Sequence, residues 1–142
     1  MLGNNGALMI TAKYFQTWME RYFPLMAILA GLTLALGLYQ VFFQVPFDYQ
    51  QKETVRIMFI HVPAAWLALG VYGAMGLFNL SGFIFNNPFL FMISRSIAPL
   101  GFVMTLVCIG TGMLWGKPMW GAWWVWDARL TSVAILGLLY AA

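Results

Sequence analysis

Long apolar runs, separated by short charged or turn-forming stretches, divide this chain. A hydrocarbon core about 30 Å thick needs about 20 apolar helical residues to cross it, so run length tells which segments can span a membrane. The first charge-free run lies between Arg21 and Asp48, with Pro24 at its start where a missing N–H is harmless, and predicts a crossing over 24–45. Between Arg56 and Arg95 the stretch exceeds one crossing; Ser81, Gly82, Asn86, Asn87 and Pro88 supply turn chemistry late in it, which puts the second crossing at 60–84. The run from Ser96 to Gly116 predicts a third at 97–115. After Arg129 a fourth run begins at Leu130 and reaches Ala142 while still too short to cross, the pattern of a chain cut within its fourth span.

The expected fold is therefore all-α, a polytopic membrane helix bundle with three complete transmembrane helices and the start of a fourth. Its parts are a tail (1–23), helix 1 (24–45), a loop (46–59), helix 2 (60–84), a second loop (85–96), helix 3 (97–115), a tryptophan-rich loop (116–128) and the opening of helix 4 (129–142). The tail carries Lys13, Glu20 and Arg21 and lacks an early apolar core with a small-residue cleavage site, so the first crossing reads as an uncleaved signal anchor. The pairs Gly31/Ala35, Gly70/Ala74 and Gly101/Thr105, each four residues apart, allow close helix approach in lipid.

Composition agrees. Of 142 residues 63% are hydrophobic and 8% charged, against about 25% charged in a soluble domain, which excludes a water-soluble globule and a disordered chain alike. A net charge of +3 diluted among Trp and Phe excludes a nucleic-acid partner and fits cations marking span edges in a lipid bilayer. Lys13, Arg21 and Arg95 fall on one side of the membrane, and Lys52, Arg56, Lys117 and Arg129 on the other, a near tie that leaves orientation open. Cys108, alone of its kind, and the methionines, which lack ligand spacing, are assigned to packing. No Walker motif occurs, so any ATP use belongs to a partner.

Two features carry candidate chemistry. Five of the seven tryptophans crowd into Trp115-Gly-Lys-Pro-Met-Trp120-Gly-Ala-Trp123-Trp124-Val-Trp126. One reading is an aromatic belt at the headgroup layer; the other is an indole shelf, relieved by Gly116, Pro118 and Gly121, for a flat apolar ligand such as a porphyrin or a quinone. The other feature is His61, the only histidine, in Arg56-Ile-Met-Phe-Ile-His61-Val-Pro63. Pro63 cannot donate to the carbonyl of Phe59, so a helix starts or kinks there. An imidazole at a membrane edge serves as a satisfied structural group, a proton relay or a metal ligand. Two crossings separate His61 from the tryptophan segment, hence both lie on one face of the membrane, together with Arg56, Lys117 and Arg129. Haem takes an axial histidine on its iron, apolar walls on its faces and cations at its propionates, and this combination moves His61 towards a ligand role. A haem-handling assembly factor, a quinone-binding subunit of a membrane oxidoreductase and a structural bundle subunit all stay open on these grounds.

The string Trp120-Gly121-x-x-Trp124-x-Trp126-Asp127 is similar to the tryptophan-rich WWD signature of the haem-handling membrane proteins of cytochrome c maturation. Its flanks, Trp115-Gly-Lys-Pro-Met-Trp120 and Asp127-Ala-Arg-Leu-Thr131, with Asp48-Tyr49-Gln50-Gln51 and Arg56 through Trp66, resemble within that group the haem exporter protein C family, from Phe23 to Ala142. The resemblance implies six spans in a complete member, a location in the bacterial inner membrane, and the tryptophan-rich loop on the periplasmic side. It implies haem b on a platform of Trp120, Gly121, Trp123, Trp124, Trp126 and Asp127, with His61 as one axial ligand and the second a histidine in a later periplasmic loop. Arg56, Lys117 and Arg129 could meet the propionates; Asp127 and Arg129 read either as an exposed interfacial ion pair or as a carboxylate orienting the loop through backbone N–H contacts beside a propionate-binding arginine. The implied role is not enzymatic: haem is presented to the haem chaperone CcmE within an ABC-type export assembly that includes the membrane proteins CcmB and CcmD and the ATPase CcmA.

Overall fold

A computed structural model describes residues 4–142, with side chains from Lys13 onward. It holds four helices, α1 (Asn4–Phe43), α2 (Val55–Ile84), α3 (Pro88–Trp120) and α4 (Ala128–Ala141). Among the described residues the only extended pairing is a single bridge between Asp48 and Lys52. Stretches within the first three helices, Lys13–Phe43, Val55–Ile84 and Pro88–Trp120, are long and apolar enough to cross a membrane, so the all-α, multi-pass architecture expected from the apolar runs is the one observed. The chain forms two compact units, 1–45 and 46–142.

The first unit is α1. Its helix begins at Asn4, which puts Pro24 in the interior rather than at the start; the ring removes one N–H and leaves the carbonyl of Glu20 without its helical partner. Good helix formers on both sides, with the backbone sequestered in lipid, carry the helix through.

In the second unit the helices outrun the crossings that the charges mark. α2 takes in Arg56, and α3 takes in both Arg95 and Lys117. Charge marks where hydrocarbon ends, whereas a helix continues until its hydrogen bonding is interrupted, and long cationic side chains reach water from within it. What remains between α2 and α3 is a turn at Phe85-Asn86-Asn87. Asn86 adopts φ 50°, a left-handed conformation that Asn tolerates better than most residues. The Asn87 side chain caps α3 by accepting from the N–H of Phe89 at 3.1 Å, and Pro88 follows in the first helical turn. Gly82 lies under the Phe91 ring, where a Cβ would come within 3.0 Å, so the hairpin closes on a residue without a side chain.

Down this hairpin α2 and α3 run antiparallel, with the Ser94 hydroxyl donating to the carbonyl of Met75 at 3.5 Å near the turn. α4 packs on α3: the Tyr140 ring covers Gly101, and Gly137 rests on the Thr105 methyl. The Tyr140 hydroxyl donates to the carbonyl of Ala68 at 2.7 Å and its ring stands edge-on to Tyr72 at 5.5 Å, which ties α4 to α2. The buried residues of this unit are mostly small, among them Ala64, Ala68, Ser94, Thr105 and Cys108, while large side chains such as Trp66, Leu77 and Phe83 face outward. This is the packing of helices in lipid, where close backbone approach rather than a greasy interior brings them together. Of the small-residue pairs, Gly101/Thr105 lies in the α3–α4 interface, whereas a Cβ at Gly31 or Gly70 meets nothing within 4 Å.

Candidate functional site

The open end of the hairpin, opposite the Asn86 turn, holds His61 and the tryptophan segment. α2 runs through Pro63, so His61 stands in its second turn, about 9 Å along the axis from Val55. Directly across on α3, Thr111 Oγ1 lies 3.0 Å from His61 Nδ1. Gly112 makes this approach possible, because a Cβ there would sit 3.1 Å from His61 Cε1. His61 and three residues of the tryptophan segment, Trp115, Trp120 and Trp124, line one pocket at this end.

α3 ends at Trp120, and Gly121, at φ 77°, caps it by donating its N–H to the carbonyl of Lys117 at 3.0 Å. The Lys117 ammonium donates to the carbonyl of Gly121 at 3.0 Å and lies 5.9 Å from the centre of the Trp123 ring, a cation at the negative end of a helix. Only Gly121–Asp127 of the tryptophan segment is outside helix. The connection ends at Asp127, whose Oδ1 accepts the N–H of Leu130 at 2.8 Å and caps α4. Its Oδ2 accepts from Arg129 Nη2 at 2.8 Å and Nε at 3.3 Å. The Leu130 N–H first, and the Arg129 guanidinium after it, hold the Asp127 carboxyl below the usual carboxylate range. Arg129 also lies over the Trp120 ring, 5.4 Å from its centre.

Between these elements is an open pocket of about 340 Å³. α2 contributes His61, Met58 and Ala65 to its wall; α3 contributes Cys108, Gly112 and Met113, with Trp115 and Trp120 above them. Trp124 closes one side from the connection, and Arg129, Leu130 and Val133 close the other from α4. Trp115 and Trp120 meet edge to face at 5.0 Å, and the Trp115 indole N–H donates to Gln51 Oε1 at 2.9 Å, which braces it from the 46–54 segment. There Asp48 Oδ1 accepts from the N–H groups of Gln50 and Gln51 at 2.9 and 2.7 Å, a local turn that presents Gln51. Trp124 stands edge-on to Trp126 at 5.3 Å. Its Nε1 is buried and has no hydrogen-bond partner, alone in this respect among the described side chains. Buried donors are almost always paired, and among the described residues this one is not.

Of the residues singled out in the sequence, the pocket brings together His61, Trp120, Trp124 and Arg129. Trp123 and Trp126 are on the exposed side of the connection, at 50% and 78% exposure. Gly121 and Asp127 shape the backbone at the two helix ends, and Arg56 pairs with Glu53 at 2.8 Å outside the pocket wall. Trp115, the first indole of the crowded segment, joins them, and Thr111 and Gly112 are the additions that the sequence reading missed. Their signal is helical spacing, for Cys108, Gly112 and Trp115 are at i, i+4 and i+7 and so share one face of α3, with Thr111 beside them.

The model of the Heme exporter protein C family matches residues 7–142. The chain belongs to this family. It is 48% identical to the Heme exporter protein C of Bradyrhizobium diazoefficiens over 84% of its own length and 45% of that protein. It is 41% identical to the Heme exporter protein C of Escherichia coli K12, over 84% and 49% of the two chains. A ccmC-like mitochondrial protein of Marchantia polymorpha, named for cytochrome c biosynthesis, is 39% identical over 89% and 56%. The chain spans about half the length of the curated relatives it matches. Membership in the heme exporter protein C family and three helices able to cross a membrane make this a multi-pass membrane protein.

Proposed function

We propose that the protein is a haem-handling component of cytochrome c biogenesis and that haem b binds at the His61 end of the α2–α3 hairpin. The observation that carries this reading is one pocket combining a single imidazole, three indoles, the Arg129 guanidinium and the orphaned N–H of Trp124. These residues fit the group: a neutral nitrogen for iron, apolar aromatic walls for a macrocycle, and a cation with a buried donor for carboxylates. Haem supplies an iron that accepts an axial nitrogen and propionates that require cations.

His61 would supply a nitrogen to the haem iron, and Trp115, Trp120 and Trp124 would give the macrocycle an apolar wall. Arg129 spends two N–H groups on Asp127 and keeps others for a propionate, since a guanidinium carries five. Trp123, Trp126, Lys117 and Arg56, at the same end but outside the pocket wall, receive the exposed part of a ligand too large for the pocket to enclose. Gly121 and Asp127 fix where the connection leaves α3 and enters α4. The protein acts by holding and presenting haem rather than by catalysis. It does so at the periplasmic face of the inner membrane, handing haem to the chaperone CcmE beside CcmB, CcmD and the ATPase CcmA. A second histidine on the iron would have to come from outside these residues, which hold one.

Haem titrated into the detergent-solubilised protein is expected to give a Soret band that weakens sharply in His61→Ala. A Soret titration identical in wild type and variant would remove His61 from the site. Co-purifying quinone with no Soret band would replace haem with a quinone as the ligand.

A further inference from the structure

Thr111 sits against the imidazole at a point where one hydroxyl proton has two claims on it. Its Oγ1 lies 2.6 Å from the carbonyl of Val107, one helical turn back on α3, and 3.2 Å from that of Cys108. The same oxygen lies 3.0 Å from His61 Nδ1. A hydroxyl has one hydrogen to donate and two lone pairs to accept with. The distances divide the roles: 2.6 Å is short, as a donated O–H···O bond is, and 3.0 Å is the ordinary length of an N–H···O bond. The Thr111 proton goes to Val107, in the back-bonding that threonine adopts inside helices, which leaves a lone pair of Thr111 Oγ1 to face His61 Nδ1.

We infer that Thr111 is the positioning residue of the site. It holds His61 as the tautomer protonated at Nδ1, and so leaves the lone pair of Nε2 free for a ligand acid such as a haem iron. One face of α3 meets the imidazole at two adjacent ring atoms: Nδ1 lies 3.0 Å from the Thr111 oxygen, and Cε1 occupies the space that a Cβ at Gly112 would crowd at 3.1 Å. Nε2 makes no hydrogen bond among the described residues. A histidine that ligates metal through one nitrogen donates the other N–H to a fixed acceptor, which sets both tautomer and ring orientation. In this site a hydroxyl already committed as a donor is that acceptor. The identity of the ligand rests on the haem reading above; the tautomer does not.

The chain has one histidine, so protein labelled with 15N-histidine in detergent gives a single imidazole, and its two-bond proton–nitrogen correlations at alkaline pH report which nitrogen carries hydrogen. The expected result without ligand is hydrogen on Nδ1, with Thr111→Val moving the population to Nε2 and Thr111→Ser restoring it. Haem titrations of the same samples are expected to weaken about 10–100-fold in Thr111→Val, the range for loss of a residue supporting a metal ligand, and to recover in Thr111→Ser. Gly112→Ala keeps the hydroxyl but crowds Cε1, and is expected to move both readouts as Thr111→Val does. Hydrogen on Nε2 in the wild type would overturn the proposal, as would a tautomer indifferent to Thr111→Val. If Thr111→Val does not fold, the wild-type spectrum, Thr111→Ser and Gly112→Ala decide the matter. Haem titrating equally into wild type and His61→Ala, with hydrogen found on Nδ1, would defeat the haem reading while leaving the role of Thr111 intact.

Discussion

Two threonines on α3, less than two turns apart, show how differently one helix is used along its length. Thr105 is completely buried; its hydroxyl donates to the carbonyl of Gly101 at 2.8 Å and its methyl lies against Gly137. Thr111 makes the same backward bond, to Val107, yet presents its oxygen to His61 beside an open pocket whose wall includes an unpaired indole N–H. Around Thr105 the small residues Gly101 and Gly137 bring α4 close; around Thr111 the small residue Gly112 brings an imidazole close instead. The same device, a missing side chain that admits a neighbour, closes the interface in one half of α3 and seats an imidazole at the edge of an open pocket in the other.

The sharpest way to break this contrast is His61→Ala. Haem affinity is expected to fall by more than the roughly 10–100-fold that a supporting residue commands, read as loss of the Soret titration, and retained affinity would mean that the open half is not the site. Gly101→Ala probes the closed half. Its Cβ would overlap the Tyr140 ring, and forcing atoms into a packed interface costs about 1–3 kcal/mol. The expected outcome is a lower thermal unfolding midpoint in detergent with haem affinity unchanged; an equal loss of affinity would show the halves to be coupled. Trp124→Phe separates binding from stability in the reverse sense. It removes a donor that has no partner, so unfolding is expected to be unaffected, while affinity falls about tenfold or more, since a hydrogen bond to a charged acceptor contributes about 1.5–3 kcal/mol.

The smallest effect is expected at Asp127. A carboxyl whose pKa is depressed in the folded state stabilises that state above its unfolded value, about 3.9 for Asp, and ceases to do so as pH falls through the lower folded value. Because the Leu130 N–H and Arg129 depress it, the protection of the Leu130 amide, its exchange relative to the unstructured rate at the same pH, should hold from neutral pH down to about 4 and fall below that. Asp127→Asn, which keeps a capping oxygen, should retain the protection and Asp127→Ala should lose it. An Ala variant as protected as wild type would show that α4 is held by Tyr140 and Gly137 alone.

Much of this was legible in the residues. The charge-free runs marked three helices long enough to cross, Asn86-Asn87-Pro88 marked the turn between α2 and α3, and counting crossings brought His61 to the end of the hairpin that carries the tryptophans. Helix ends were less legible, because Arg56, Arg95 and Lys117 mark the limit of hydrocarbon and not of hydrogen bonding. Equally hidden was which indoles would converge: the sequence offers Trp115, Trp120, Trp123, Trp124 and Trp126 as one crowd, and the structure gathers Trp115, Trp120 and Trp124 while leaving Trp123 and Trp126 outside the pocket.

By itself, then, the sequence determined the architecture, since length and hydrophobicity are properties of a segment and a bilayer selects on both. It also determined the caps at Asn87, Gly121 and Asp127, whose chemistry is local. Only the tertiary structure decided the site. Which faces of α3 look at α2 and at α4 depends on how far each helix is rotated about its axis, and the contacts that go with that rotation, Gly112 with His61 of α2 and Gly101 with Tyr140 of α4, join residues far apart in the chain. An imidazole at position 61 becomes an oriented group only when Thr111 is placed 3.0 Å from it.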